Sequence, residues 1–435
     1  MGYIMILKPK KLIFEKFSLN GKKLSSDVKI LHIYFVAMLG FILAGIVNIF
    51  VSNGNAIYDM LIPNMNNHYW DLITSIFHNY AGIPYEEGVI YPPGANIICL
   101  LLSKMFSLES YMDGINAMRD SQIGMLVIMW FLLFTVTLFI SLICYQFQGT
   151  RAEKLCLVLT ILLSAPYVRE ISKANLVMVS VICVYVFILF KDHESVFMRV
   201  LAFVALSAAV ALKIYPVFLG ILLLREKSAK KIWGCIGCGI VVFFVPFFVF
   251  GGLHGVVLML QNIFNTTSIF NDSGLGFKID ITNTINIVGD LFHYGGNIRR
   301  VGTCFNYIFL ILGFVMSLFV QEEWKAVTLL SLLTLSYPTF SGSYGILILV
   351  PALIMFLNTK PGITHENMAY ILLFVLLFAP MFFGGQNILP ALDGEVRINL
   401  FTLTESVAII LMEMMLIFDG LIRMICLVGK KIKMK

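Results

Sequence analysis

Residues 122–147 read QIGMLVIMWFLLFTVTLFISLICYQF, an apolar run without one Asp, Glu, Lys, Arg or His. At 1.5 Å per helical residue it exceeds the roughly 30 Å of hydrocarbon in a bilayer. A peptide group left unpaired in hydrocarbon costs several kcal/mol, so a run of this kind is expected as a helix. Runs of the same character lie near 32–52, 155–168, 174–190, 197–212, 214–224, 232–251, 303–320, 326–337, 345–357, 367–384 and 401–418. The 435 residues are 59% apolar and only 13% charged, against about 25% charged in a soluble domain. The expected fold class is all-α, a polytopic transmembrane helical bundle of about 12 spans. The expected organisation is a basic segment 1–31, a membrane domain 32–418 with large outer loops 53–121 and 252–302, and a basic tail 419–435.

Lysines and arginines orient this bundle. Twelve crossings put both basic ends on one side, and 22 of the 31 basic residues then fall on that side. Cytoplasmic loops carry such an excess. The expectation is a multi-pass plasma (inner) membrane protein with both termini cytoplasmic. Its net charge of +6 reflects that anchoring and calls for membrane lipids as partners, with no nucleic acid. The first apolar run is of full length and lacks a small-residue cleavage site, so it reads as a first span and not a cleaved leader. Residues 94–107 are apolar but short. A full crossing there would turn the basic REKSAKK stretch (225–231) outward, so they are expected to dip into the outer leaflet. Cys235 and Cys238 form a C-x-x-C inside a span and read as packing thiols.

The outer loop 53–93 has no Lys or Arg but holds Asp59, Asp71, Glu86 and Glu87. Asp71 opens a stretch with apolar residues at Leu72, Ile73, Ile76, Phe77 and Tyr80, the spacing of a helix lying on a membrane surface. A carboxylate held there can accept a proton from a hydroxyl; it can equally be an N-cap or a solvated loop acid. Arg169, Lys173 and Lys213 fall at outer ends of spans. Cations there are costly without anionic partners. A phosphate site is one reading; snorkelling and pairing with Glu170 or lipid headgroups is the other.

Several segments of the chain resemble a known family. Asp71–Ile76, Gly82-Ile83-Pro84-Tyr85 and Ile90-Tyr91-Pro92-Pro93 are similar to the first outer loop of polyprenol-phosphate-sugar-dependent glycosyltransferases of the GT-C class, most of all glycosyltransferase family 87. Glu170–Asn175 (EISKAN) resembles that family's Glu-Arg-Gly-Asn stretch with Lys173 and Ala174 in place of Arg-Gly. Ala211–Leu224 resembles its Lys-x-x-Pro span, and Ser341–Tyr344 also has a counterpart. The resemblance implies a GT-C-type bundle that moves a sugar, mannose or another hexose or pentose, from a polyprenyl-phosphate donor to a glycan or glycolipid acceptor on the outer side. It implies Asp71 as general base and Lys213, Lys173 and Arg169 as ligands of the donor phosphate. His68, Tyr85, Glu86, Glu87, Tyr91 and Tyr344 are then the expected acceptor or sugar contacts. No cofactor is expected, and no Asp-x-Asp or His cluster asks for a metal.

Three other readings compete, the third a non-catalytic membrane scaffold. A transporter or flippase for lipid-linked sugars would share the span count, but inverted repeats with broken helices are not visible. An O-antigen-type polymerase would lean on outer-loop arginines such as Arg299 and Arg300.

Overall fold

The computed structural model describes residues 29–55, 68–226, 228–271, 279–292, 298–337, 342–380, 387–391, 394–398 and 400–433. Most of the basic N-terminal segment, Asp59, Lys278 and Ser341 lie outside the described residues. The helices are α1 (Ile30–Val51), α2 (Trp70–His78), α3 (Pro93–Ser103), α4 (Leu108–Met112), α5 (Ile115–Asp120), α6 (Gln122–Gln146), α7 (Arg151–Leu162), α8 (Ala165–Lys173), α9 (Val177–Phe190) and α10 (Val196–Leu212). They continue as α11 (Leu222–Arg225), α12 (Ala229–Phe244), α13 (Leu253–Asn271), α14 (Ile281–Leu291), α15 (Ile298–Met316), α16 (Glu323–Ser336), α17 (Val350–Asn358), α18 (His365–Phe378) and α19 (Leu400–Lys433). Between α18 and α19 the chain forms one antiparallel hairpin, Asn387–Ala391 with Gly394–Ile398.

Among the described residues three helices are long and apolar enough to cross a membrane: Ile30–Val51, Gln122–Gln146 and Ala229–Phe250. A fourth crossing is formed if α7 and α8 count as one span bent by 58°. That bend follows from Pro166 at the start of α8, which cannot continue the preceding helix. Most of the other expected spans are shorter helices, although 401–418 falls within the 34-residue α19; 3₁₀ runs at Tyr215–Ile221 and Ser343–Leu349 extend two of the short ones, and Val245–Phe250 completes Ala229–Phe250. A 3₁₀ turn rises about 2 Å per residue, so these runs reach further than α-helix of equal length.

Outward faces such as Val36, Phe50, Trp130, Phe134 and Phe248 are exposed, as lipid requires and water would not tolerate. Inside, Tyr34, Phe139, Tyr185, Phe356, Tyr370 and Phe374 fill the bundle. Hydroxyls buried there bond back to their own helices: Thr135 to Phe131 O, Ser207 to Phe203 O and Thr328 to Trp324 O. These hydroxyls are thus satisfied without water.

The turns sort into two opposite ends. At one, Asn358 Nδ2 donates to Gln146 O at 2.8 Å, Lys231 reaches Asp192 at 2.8 Å, Lys191 reaches Glu323 at 2.8 Å and Arg225 donates to Val320 O at 2.9 Å. Lys325 is gathered there with Glu366 at 2.7 Å and Asp419 at 3.3 Å. At the other end, Tyr69 N donates to Ser172 O at 2.7 Å and Ala165 N to Ala379 O at 3.1 Å. The helices α9 and α10 run antiparallel between these ends. The start of α9 and the finish of α10 are therefore neighbours, and the candidate site lies there.

Candidate active site

Asp71 sits in the first turn of α2, where a helix N-terminus favours a negative charge. The residue that starts this helix, Tyr69, has φ 52°, in the left-handed region. Leu72, Ile73 and Ile76 are fully buried against Ala95, Cys99, Met118 and Leu212. The apolar stripe that read as a membrane-surface helix is therefore seated on protein. Its period was legible; what covers it depends on how α3, α5 and the end of α10 come together.

Opposite Asp71, α8 ends at Ala174, also left-handed with φ 49° and ψ 54°. The altered position of the Glu-Arg-Gly-Asn-like stretch is thus one where glycine would be unstrained and alanine is not. The turn throws Asn175 toward α2. Its Oδ1 accepts from Val177 N–H at 2.9 Å and its Nδ2 donates to Asp71 Oδ2 at 2.6 Å. The backbone donor fixes which way the amide faces, so the NH₂ group must point at the carboxylate. Both left-handed residues flank this contact, and Tyr69 N–H donates to Ser172 O, two residues before Ala174. Non-glycine strain of this kind concentrates at functional sites.

Lys213 follows the last residue of α10 in extended conformation. Its ammonium lies 4.1 Å from the centre of the Tyr91 ring, a cation–π contact. Tyr91 is held in turn: its carbonyl accepts from Asn96 Nδ2 at 3.1 Å and Tyr85 Oη at 3.3 Å. The approach of α3 to α10 depends on Gly94, where a Cβ would fall 2.8 Å from both Cβ and O of Ala211. Asp71 and Glu170 lie close enough to act on the Lys213 charge. Glu170 is 3% exposed, and neither of its oxygens makes a hydrogen bond; it faces the N–H groups of Asn175 and Met178 at the start of α9. A cleft beside Lys213 is lined by Tyr215, Tyr344, Val181, Leu335 and Ile348 among others.

The structure thus gathers Asp71, Lys213, Tyr91 and Tyr344 of the residues singled out in the sequence, and adds Asn175, Glu170 and Tyr215. It does not bring all of them together. Arg169 turns to α19, donating to Thr402 Oγ1 at 3.3 Å with its guanidinium 5.9 Å from the Phe401 ring centre. Lys173 closes α8 one residue before the strained turn. Glu86 and Glu87 are on an exposed turn, with Glu87 3.1 Å from His78. Tyr85 stacks on Phe247 at 5.7 Å. His68 packs edge-on against Tyr69 and lies near Asp120. The Arg119 hydrogen bonds hold that Asp120 carboxyl below its ordinary range, and His68 adds to the pull. Asn175 and Glu170 had a signal in the EISKAN stretch, but spacing alone could not say that its two ends face Asp71 and Lys213.

A carboxylate, a cation and aromatic side chains thus converge at one end of a bundle of apolar helices. The chain belongs to glycosyltransferase family 87: that family's model matches residues 90–341, more than half of it. The match takes in Tyr91, Glu170, Asn175, Lys213 and Tyr215; Asp71 precedes its start at residue 90 and Tyr344 follows its end at residue 341. It decides for a transferase over the transporter reading. No curated protein and no solved structure matches the chain.

Proposed function

We propose that the protein moves a sugar, mannose or another hexose or pentose, from a polyprenyl-phosphate donor to a glycan or glycolipid acceptor at the outer face of the plasma membrane. The observation that carries this reading is the Asn175–Asp71–Lys213 arrangement. A carboxylate oriented by an amide lies within electrostatic reach of a cation at the edge of an apolar cleft.

Asp71 takes the proton of the acceptor hydroxyl. The hydroxyl oxygen attacks the anomeric carbon from the face opposite the phosphate, so configuration inverts. The bond from that carbon to the phosphate oxygen breaks, and its electron pair leaves with polyprenyl phosphate. This leaving group already carries charge, so a fixed cation can stabilise it without a metal. Lys213 is that cation. Lys173 ends α8 two residues before Asn175, whereas Arg169 is engaged with α19. The cleft beyond Lys213, with Val181, Leu335 and Ile348 on its walls, suits the first isoprene units.

The twelve-span topology belongs to this proposal. The two sets of turns tied at opposite ends support it: each crossing helix from α1 to α19 links one set to the other. The three-helix element α2, α3 and α4 stays at the Asp71 end. With 11 residues, α3 is too short to cross at 1.5 Å per residue. The direct test is incubation of purified protein with polyprenyl-phosphate sugars. Release of polyprenyl phosphate that depends on an added acceptor is expected; intact donor after prolonged incubation with a range of sugars refutes the reading.

A further inference from the structure

Beyond the family-matched region, α19 carries a carboxylate that no step above uses. Glu405 is fully buried, and one of its oxygens accepts from the Ser343 hydroxyl. Its other oxygen makes no hydrogen bond. Ser343 is itself 1% exposed and stands between Gly342 and Tyr344, both of which line the cleft at Lys213. On the other side Glu405 faces Arg169, whose charge interacts with it. Arg169 is further tied to Thr402 and Phe401, one turn earlier on the same helix.

Arg169 belongs to α8, and α8 packs along the Ser343–Leu349 run. Four residues after Arg169 the helix ends in the strained turn that aims Asn175 at Asp71. Glu405 therefore bears on both halves of the site, bonding Ser343 directly and lying within reach of the Arg169 charge. Through Ser343 it holds the wall bearing Tyr344; through Arg169 it holds the helix that orients the base. A buried carboxylate without a cation is costly in a membrane interior. A cation without an anion is equally costly, so the Arg169–Thr402 hydrogen bond and the nearby Glu405 charge together constrain where α8 can lie.

We propose that Glu405 is a positioning residue for transfer, setting the distance between the base side and the donor side of the cleft. This rests on the transferase reading above. The geometry separates its two links: Glu405→Gln keeps an acceptor for Ser343 and loses the charge facing Arg169, Ser343→Ala loses only the hydroxyl link, and Glu405→Ala loses both.

Hydrogen–deuterium exchange on the full-length protein in detergent reads the linkage without any activity. Glu405→Gln should raise exchange in 165–175, Ser343→Ala in 342–349, and Glu405→Ala in both. Steady-state kinetics with polyprenyl-phosphate mannose read the consequence. A misplacement of about 1 Å can cost on the order of 100-fold, so kcat should fall about 10–100-fold in Glu405→Ala, with donor KM little changed and the Gln variant partly restored. If exchange changes only within α19, or if both segments loosen while kcat is unchanged, the proposal is overturned. If Glu405→Ala does not fold, the Gln and Ser343 variants decide between these outcomes. A wild-type protein that releases no polyprenyl phosphate would refute the transferase chemistry, while the exchange pattern would still decide the linkage.

Discussion

Asn175→Ala is the perturbation whose size can be worked from the structure. The side chain is 1% exposed and makes two contacts: Oδ1 with Val177 N–H at 2.9 Å and Nδ2 with Asp71 Oδ2 at 2.6 Å. The first is a neutral hydrogen bond worth about 1 kcal/mol, and its loss should appear as reduced stability. The second is to a carboxylate, where net values run about 1.5–3 kcal/mol. If the amide serves to hold Asp71 in its reactive orientation, that second sum appears in the transition state. At about 1.4 kcal/mol per decade it corresponds to roughly 10–100-fold in kcat. Asn175→Asp separates the two effects. It keeps the acceptor for Val177 N–H but sets a second carboxylate against Asp71. Two carboxylates at such range share a proton, so the base is free only at higher pH. The basic shift has a definite sign: activity lost at neutral pH should recover as pH rises. The assay is release of polyprenyl phosphate by purified protein, with kcat and donor KM determined across pH and thermal unfolding measured in parallel. The reasoning is refuted if Asn175→Ala turns over like wild type while Asp71→Asn is dead, or if its loss is confined to donor KM.

Asp71→Asn should fold and bind donor while losing about 10²–10⁴-fold in turnover; Glu86→Gln and Glu87→Gln, on the exposed turn, should lose far less, and the reverse pattern would name a different base. Lys213→Ala should raise donor KM by roughly 10–100-fold, the loss of one charge-assisted contact, with Lys213→Arg only partly active; an unchanged donor KM moves the phosphate elsewhere. Gly94→Ala puts a methyl 2.8 Å from the Ala211 carbonyl, an overpacking worth about 1–3 kcal/mol, and should lower both the unfolding temperature and donor affinity by parting Tyr91 from Lys213. For sidedness, Glu87→Cys should react with an impermeant thiol reagent from outside and Ser228→Cys only after permeabilisation, in a background freed of the exposed Cys156, Cys304 and Cys426.

The two left-handed residues give the site a testable weakness. Tyr69 and Ala174 each hold a backbone conformation that an L-residue adopts at a cost of about 1–2 kcal/mol, and both adjoin the Asp71–Asn175 contact. The surrounding packing must outweigh that cost. Leu72 and Ile73 on one side and Leu176 on the other, all buried in one cluster with Ala174, provide it.

The sequence by itself determined the medium and the elements. Apolar runs such as 122–147 have one stable form in hydrocarbon, and helices close to the expected limits occur at Ile30–Val51, Gln122–Gln146 and Val196–Leu212. Family membership was also legible, because the motifs that carry it are local and ordered. The short spans were read less well: 3₁₀ runs and the break at Pro166 depend on what packs beside them. The site divides in the same way. Asp71 and Lys213 stood out as charges where charges are costly. Only the tertiary structure decided that Asn175 bonds to Asp71 across 104 positions, that Arg169 faces α19, and that Tyr91 lies under Lys213. Burial and periodicity act along one helix. Which polar groups meet at its end depends on crossings such as Gly94 on Ala211, where two distant segments touch and neither records the other.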